Sequence, residues 1–203
     1  MKILLSGFET FGDNAVNPSK ELMEFLPERL GKDLLLEKMI LPVDHLIARD
    51  LIVKAIRDGN PDGIIAFGLA AGRPRISLER VAINLMDFRI PDNSGAMISD
   101  KPINPDGPAA YFTTLPLRSM LLALIETNIP AEISLSAGSY LCNQVFYTIM
   151  HEINTNHLLI PAGFVHLPAS PEAVALGQQP MPSMGMGLIL QAAKILIRSL
   201  ASC

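Results

Sequence analysis

Cys142 is the residue whose place along this chain points most directly to chemistry. It follows the strand-like run Ile133-Ser134-Leu135-Ser136, the turn Ala137-Gly138-Ser139 and two further residues, so it falls in the first turn of the next helix. Unpaired amides and the positive end of the helix dipole favour a thiolate there and lower the thiol pKa. The same amides can hold an oxyanion on a substrate that the sulfur attacks. A buried structural cysteine would fill the same position with none of this chemistry. The other cysteine, Cys203, is the last residue and is expected to be mobile.

A cysteine nucleophile needs a base, and the sequence offers four histidines. His151 lies about two and a half turns along the helix that starts near Cys142, so it points away from the sulfur. His157 sits in the polar segment Asn154-Thr155-Asn156 and is expected to be solvated, while His45 opens an amphipathic helix. His166 ends the apolar run Gly163-Phe164-Val165, at the carboxyl end of a strand, and is the best placed base. A core histidine bonded to a backbone carbonyl is the plainer role for that position. A carboxylate should orient the imidazole; Glu79, Asp87 and Asp92 compete for the role, and spacing does not choose among them.

Other chemistries fit poorly. Gly7-Phe8-Glu9-Thr10-Phe11-Gly12 has the glycine spacing of a phosphate loop, but Asp13-Asn14 stand where Lys and Ser or Thr are needed. Gly68-Leu69-Ala70-Ala71-Gly72 is a weak substitute for a dinucleotide fingerprint. No two histidines share a zinc spacing beside a third ligand, so no metal is expected. With a net charge of −4 and no basic cluster, a nucleic-acid partner is not expected.

The elements that must position these groups alternate between strand and helix. Lys2 to Ser6, Leu34 to Leu41, Gly63 to Phe67, Val81 to Leu85, Ile133 to Ser136 and Gly163 to Leu167 read as strands. Helices are predicted from Asn17-Pro18, through Leu46, Ile47, Leu51, Ile52, Ala55 and Ile56, and over Leu115–Thr127, Leu141–Ile153 and Met184–Leu200. Pro91 to Pro108 and Ala169 to Met184 read as loops, the second crossing near the site as a mobile lid. The pattern predicts an α/β fold over residues 1–203, a single domain with a mainly parallel sheet of five or six strands flanked by helices. Mean hydropathy of +0.33 and 49% hydrophobic residues demand a large core. Yet no window approaches ~18–20 unbroken apolar residues, so no membrane span is expected. The opening residues Met1 to Gly7 lack the apolar core of a secretory leader, and two cysteines cannot form a disulfide framework; both predict a cytoplasmic protein.

Taken together the motifs resemble the pyroglutamyl peptidases of the pyrrolidone-carboxylate peptidase family. The resemblance rests on Gly7 to Gly12 with Val16-Asn17-Pro18-Ser19, on Gly72-Arg73-Pro74 with Glu79 to Asn84, and on Arg89-Ile90-Pro91-Asp92-Asn93. It continues through Asp106 to Phe112, Ala137 to Asn143 and Gly163 to Pro168, in one order over nearly the whole chain. The resemblance implies a cysteine hydrolase that removes an N-terminal pyroglutamyl residue from peptides without a cofactor. It implies a Cys142–His166–Glu79 triad, with Arg89 and Asp92 as assisting residues near the site and Arg89 helping to polarise the scissile carbonyl. Phe8, Phe11, Ile90, Tyr140 and Leu141 match positions that line the pyroglutamyl pocket. Cytoplasmic residence and a homo-oligomer, dimer or tetramer, are implied as well. One residue departs from the pattern: the family commonly has Gln after the glycine matched by Gly68, where this chain has Leu69, which cannot pair with a lactam. That departure motivates one alternative, a protein of the same fold acting on another small cyclic N-acyl group. A non-catalytic binder of such a group is the other alternative, and it would have no need of Cys142.

Overall fold

The computed structural model describes residues 1–12, 16–176 and 180–201; Cys203 lies outside the described residues. The chain runs β1 (Lys2–Phe8), α1 (Pro18–Phe25), β2 (Arg29–Leu30), β3 (Leu34–Leu41), α2 (His45–Gly59) and β4 (Gly63–Leu69). It continues through β5 (Ile76–Glu79), β6 (Val81–Ile83), β7 (Ala110–Phe112), α3 (Leu117–Glu126), β8 (Ala131–Ser134) and α4 (Leu141–Thr155). β9 (Ala162–Leu167), α5 (Pro171–Leu176) and α6 (Met186–Leu200) complete it.

Seven strands form the main sheet in the order β2-β3-β1-β4-β9-β5-β8, one more than the largest number expected. The pairs β1–β3, β1–β4, β4–β9 and β5–β8 are parallel, whereas β2 runs against β3 and β5 against β9. β4 and β9 are buried on both faces, which is why Gly63 to Phe67 reads as an unbroken apolar run. The strand expected over Val81–Leu85 is β6, two residues shorter, and Ile76–Glu79 just ahead of it forms a further strand in a different sheet. Ile76–Glu79 joins the main sheet, and after Arg80 the chain enters a separate pair, β6 with β7. Arg80 makes the break, its N–H donating to Ser134 O and its carbonyl accepting from Thr113 N–H. β8 begins and ends two residues earlier than expected, because Ser134 Oγ accepts the Ser136 amide and starts the turn.

Helices cover both faces, and their apolar residues split into two cores. Ile3, Leu5, Ile65, Phe67, Leu78, Val165 and Leu167 pack under α1, α3 and α6. Leu4, Ile64, Ala66, Ala162 and Phe164 face α2 and α4 on the other side. Alternation along β9 therefore puts His166 on the α2/α4 side with Phe164. Asn17 caps α1, accepting from Ser19 N–H, with Pro18 opening the helix as its sequence implies. Asp44 caps α2 through two amides. The predicted α2 stripe is only half used: Ile52 and Ile56 are buried while Leu46, Ile47 and Leu51 stay exposed.

The predicted lid is not a plain loop. It contains α5, whose first turn Ser170 Oγ caps by accepting Ala173 N–H, and a bridge between Ala169 and Ser183. Residues 177–179 of that segment lie outside the described residues.

Candidate active site

α4 starts at Leu141, and its cap residue Tyr140 offers no side-chain bond to the first-turn amides. Those donors, including the Cys142 N–H, are left for another acceptor. The next residue anchors the turn. Fully buried Asn143 accepts from Ile83 N–H at 3.0 Å and donates to Ile83 O at 2.9 Å and Leu85 O at 3.0 Å, pinning the helix start to β6. Ahead of the helix, Gly138 takes a φ of +80°, a left-handed conformation that suits glycine. Ser139 Oγ donates to Asp87 O at 2.7 Å and Tyr140 Oη to Pro91 O at 3.1 Å. The loop before Cys142 and the loop carrying Arg89 and Ile90 are thereby laced together.

The sulfur lies over β4. A Cβ built on Gly68 would stand 2.8 Å from Cys142 Sγ and 2.8 Å from Phe164 Cζ, so only glycine leaves room for both. Gly68 is the register partner of His166 across the β4–β9 ladder, which sets the imidazole beside the sulfur's resting place. Behind it, His166 Nδ1 meets Glu79 Oε1 at 2.8 Å. Ser77 is His166's partner in the antiparallel β5–β9 register, so Glu79, two residues on, reaches it along the diagonal. Glu79 is 0% exposed and His166 4%. A carboxylate can only accept, so the shared proton sits on Nδ1 and Nε2 is left as the basic nitrogen.

These groups open into a cleft of about 560 Å³. Phe8, Phe11, Leu69, Ile90, Tyr140 and Leu141, all singled out in the sequence, line it with Cys142, His166 and Arg89. Tyr140 sits edge-on to Phe88 at 4.7 Å between centroids, which stiffens one wall. Asp92, expected beside the reacting groups, is not in the cleft wall. Its Oδ2 accepts from His45 N–H at 3.0 Å and contacts His45 Nδ1 at 2.8 Å, while Oδ1 accepts from Ser94 and Ala96. It braces the loop that carries Arg89 and Ile90 instead. Burial would raise its pKa, but these bonds overcome burial and hold the carboxyl well below the ordinary range.

The competing histidines have other partners. His151 bonds Tyr111 Oη at 2.9 Å and Asn104 Nδ2 at 2.8 Å, and His157 is exposed with a φ of +52°. Asp44, His45 and Asp92 lie close enough to share a cation, but their oxygens already accept the bonds that cap α2 and brace the loop. A second hollow of about 600 Å³ near Tyr111, Met150 and Leu159 holds His157 but no cysteine or carboxylate, so its size does not make it the reactive site.

Burial works against the thiol activation expected at the helix start. Burial pushes the Cys142 thiol up to about 12, with the charge of Glu79 adding to it. Arg73 and the Cys142 amide pull the other way and do not prevail. His166 is shifted below its ordinary value, again chiefly by burial, against the pull of Glu79. Both shifts favour the uncharged forms, a thiol on Cys142 and a neutral imidazole on His166. Two residues escaped the sequence reading. Asn143 anchors the helix start, and Arg73, in the quoted Gly72-Arg73-Pro74, donates from Nη1 to Glu79 Oε1 at 2.7 Å. An arginine six residues ahead of a candidate acid, across a glycine turn, was the available signal.

Comparison with known proteins agrees over the full length. The family model described as pyroglutamyl peptidase matches residues 1–202. Pyrrolidone-carboxylate peptidase 1 of Caldanaerobacter subterraneus subsp. tengcongensis is 39% identical over 206 residues, covering 99% of this chain and 100% of its own. Pyrrolidone-carboxylate peptidase of Pyrococcus furiosus is 42% identical over 201 residues, covering 97% and 96%. The crystal structure of pyrrolidone carboxyl peptidase from P. furiosus superposes with a TM-score of 0.96 at 40% identity, over 100% of this chain and 99% of that one.

Proposed function

Because this chain belongs to the pyroglutamyl peptidase family, we propose that it hydrolyses the bond after an N-terminal pyroglutamyl residue, with Cys142, His166 and Glu79 as its catalytic residues. Cys142 Sγ attacks the acyl carbonyl while His166 Nε2 takes the thiol proton. The Cys142 amide and Arg89 stabilise the oxyanion. As the carbon–nitrogen bond breaks, His166 returns the proton to the leaving amine, which leaves a thioester on Cys142. Water then attacks the thioester, giving its proton to His166, and free pyroglutamate departs as the thiol is restored. Glu79 keeps the imidazole in the Nδ1–H tautomer and stabilises the cation that forms in each half-reaction.

The observation that carries this reading is the His166–Glu79 bond of 2.8 Å beside the glycine that receives the Cys142 sulfur. The aromatic and aliphatic walls suit a small uncharged lactam, which brings no α-ammonium and needs no acidic anchor. The test is hydrolysis of a pyroglutamyl fluorogenic amide beside prolyl and alanyl amides. Cleavage of the first alone is expected; equal rates on all three would overturn the assignment, and turnover of another cyclic acyl amide alone would favour altered specificity.

Cytoplasmic residence is part of the same proposal, since Cys142 must stay a free thiol. Among the described residues no helix is long and apolar enough to cross a membrane. The proposed protein is a homo-oligomer, dimer or tetramer, and the exposed Leu46, Ile47 and Leu51 on α2 support a buried contact. Light scattering behind size exclusion should give a multiple of 22.0 kDa, and a monomer would remove that part.

A further inference from the structure

Glu79 is completely buried, and its two oxygens are treated unequally. Oε1 accepts from both His166 Nδ1 at 2.8 Å and Arg73 Nη1 at 2.7 Å, whereas Oε2 is buried with no partner. A buried carboxylate facing only a neutral imidazole would be an uncompensated charge. Among the described residues, Arg73 is the cation bonded to Glu79. Its other contacts run to the nucleophile's side: Nη1 reaches Ser134 Oγ at 3.4 Å and Nη2 donates to Ser136 O at 2.9 Å, at the start of the loop that ends on Cys142. The guanidinium is supplied from a tight turn in which Gly72 adopts a φ of +87° and Arg73 N–H returns to Ala70 O.

We propose that Arg73 is a positioning residue for the reaction, one that holds the Glu79 carboxylate aligned for His166 and ties it to the loop presenting Cys142. The inference rests on the triad reading above. The fork geometry suits arginine, because one planar group must meet a carboxylate on β5 and a carbonyl beyond β8 together. The charge matters twice. It keeps Glu79 able to stabilise an imidazolium, and it opposes that imidazolium enough for the proton to pass on to the leaving amine. Besides Arg73, the ionisable groups that face His166 and Cys142 are Glu79 behind them and Tyr140, Asp87 and Arg89 in the cleft wall. Glu132 on β8 is turned to Ser77 and Arg75.

The test compares Arg73→Gln, Arg73→Lys and Glu79→Gln in full-length protein with Cys203→Ser. Three readouts apply: kcat and KM on the pyroglutamyl amide, the pH profile of kcat/KM, and the pH dependence of iodoacetamide alkylation of Cys142. Arg73→Gln should lower kcat by at least about tenfold with little change in KM. Its acid limb should move up by about one pH unit. The sign follows from the cation, whose charge lowers the His166 pKa, so that its loss raises it. Alkylation should also shift to higher pH, because a positive charge near the thiolate is gone. Arg73→Lys keeps the charge and should restore both pH profiles and most of kcat. If Arg73→Gln and Arg73→Lys lose activity equally with both profiles unmoved, the role is merely structural and the proposal fails. A rise in KM alone would make Arg73 a substrate contact and also overturn it. Should Glu79→Gln keep full activity, the triad reading fails; should Glu79→Gln be inactive while Arg73→Gln is normal, only this inference falls.

Discussion

The floor of the cleft and its rim are built by different means. On the floor, Glu79, His166 and Gly68 sit within β5, β9 and β4, so backbone ladders set their spacing, and α4 brings Cys142 down onto them. On the rim, Arg89 and Ile90 are exposed and belong to a long segment between β6 and β7 with little ladder of its own. Side chains hold that segment: Asp92 to His45 and Ser94, Asn93 Nδ2 to Thr10 O, Asn84 to Asn104, Tyr140 to Pro91. Tolerances differ accordingly. Groups that exchange a proton need positions fixed to a fraction of an ångström, and regular elements supply that. A rim that only shapes the cleft mouth can rest on loops.

The comparison breaks most sharply at Gly68. Gly68→Ala puts a methyl group against both Cys142 Sγ and the buried Phe164 ring, so the sulfur or the ring must shift. A displacement near 1 Å costs about 100-fold, so kcat/KM should fall by that order while the loops stay as they are. Retention of activity within a few-fold would mean that the sulfur does not rest over β4.

On the rim, Asp92→Asn keeps the shape but removes the charge that gathers His45, Ser94 and Ala96. The variant should lose ~1–3 kcal/mol of stability. KM should rise several-fold and kcat change little, the reverse of the floor variant. The sign with pH follows from a folded carboxyl held below its ordinary value: its stabilisation is present above about pH 3.8 and is lost as pH falls through that value toward the folded pKa. Melting temperatures of wild type and variant should therefore converge in acid. A constant gap down to low pH would show that the charge is not what braces the loop.

The smallest effect concerns Leu69, where floor meets wall. Leu69→Gln offers a lactam one neutral hydrogen bond, ~0.5–1.5 kcal/mol, or roughly 2- to 12-fold in kcat/KM. The gain should appear on pyroglutamyl and not on prolyl amides. Leu69 is 9% exposed, so an amide that finds no partner there would instead lower activity. No change on either substrate would separate lactam recognition from position 69.

The sequence carried the floor better than the rim, for physical reasons. Gly63 to Phe67 and Gly163 to Leu167 are short runs buried on both faces, so their composition alone marks strands, and His166 at the end of one is conspicuous. The break at Arg80 is set by pairing with Ser134 and Thr113, residues far away along the chain, and leaves no local trace. Leu46, Ile47 and Leu51 have helical spacing but face outward, because periodicity marks a helix without naming what covers it. The opposing effect of burial at the thiol is hidden in the same way. A helix terminus is visible in sequence, whereas the depth at which Cys142 sits depends on everything packed around it.

The activity of Cys142→Ser on a pyroglutamyl amide, measured in protein also carrying Cys203→Ser, tests the proposed mechanism most directly. Serine keeps the size and the hydrogen-bonding site, but its hydroxyl is a far weaker nucleophile beside an imidazole whose basicity burial has reduced. The expected result is a fall in kcat of at least about 1000-fold with an unchanged melting temperature, while Cys203→Ser alone matches wild type and is silenced by iodoacetamide. Appreciable turnover by Cys142→Ser would contradict attack by this sulfur and, with it, the Cys142–His166–Glu79 mechanism.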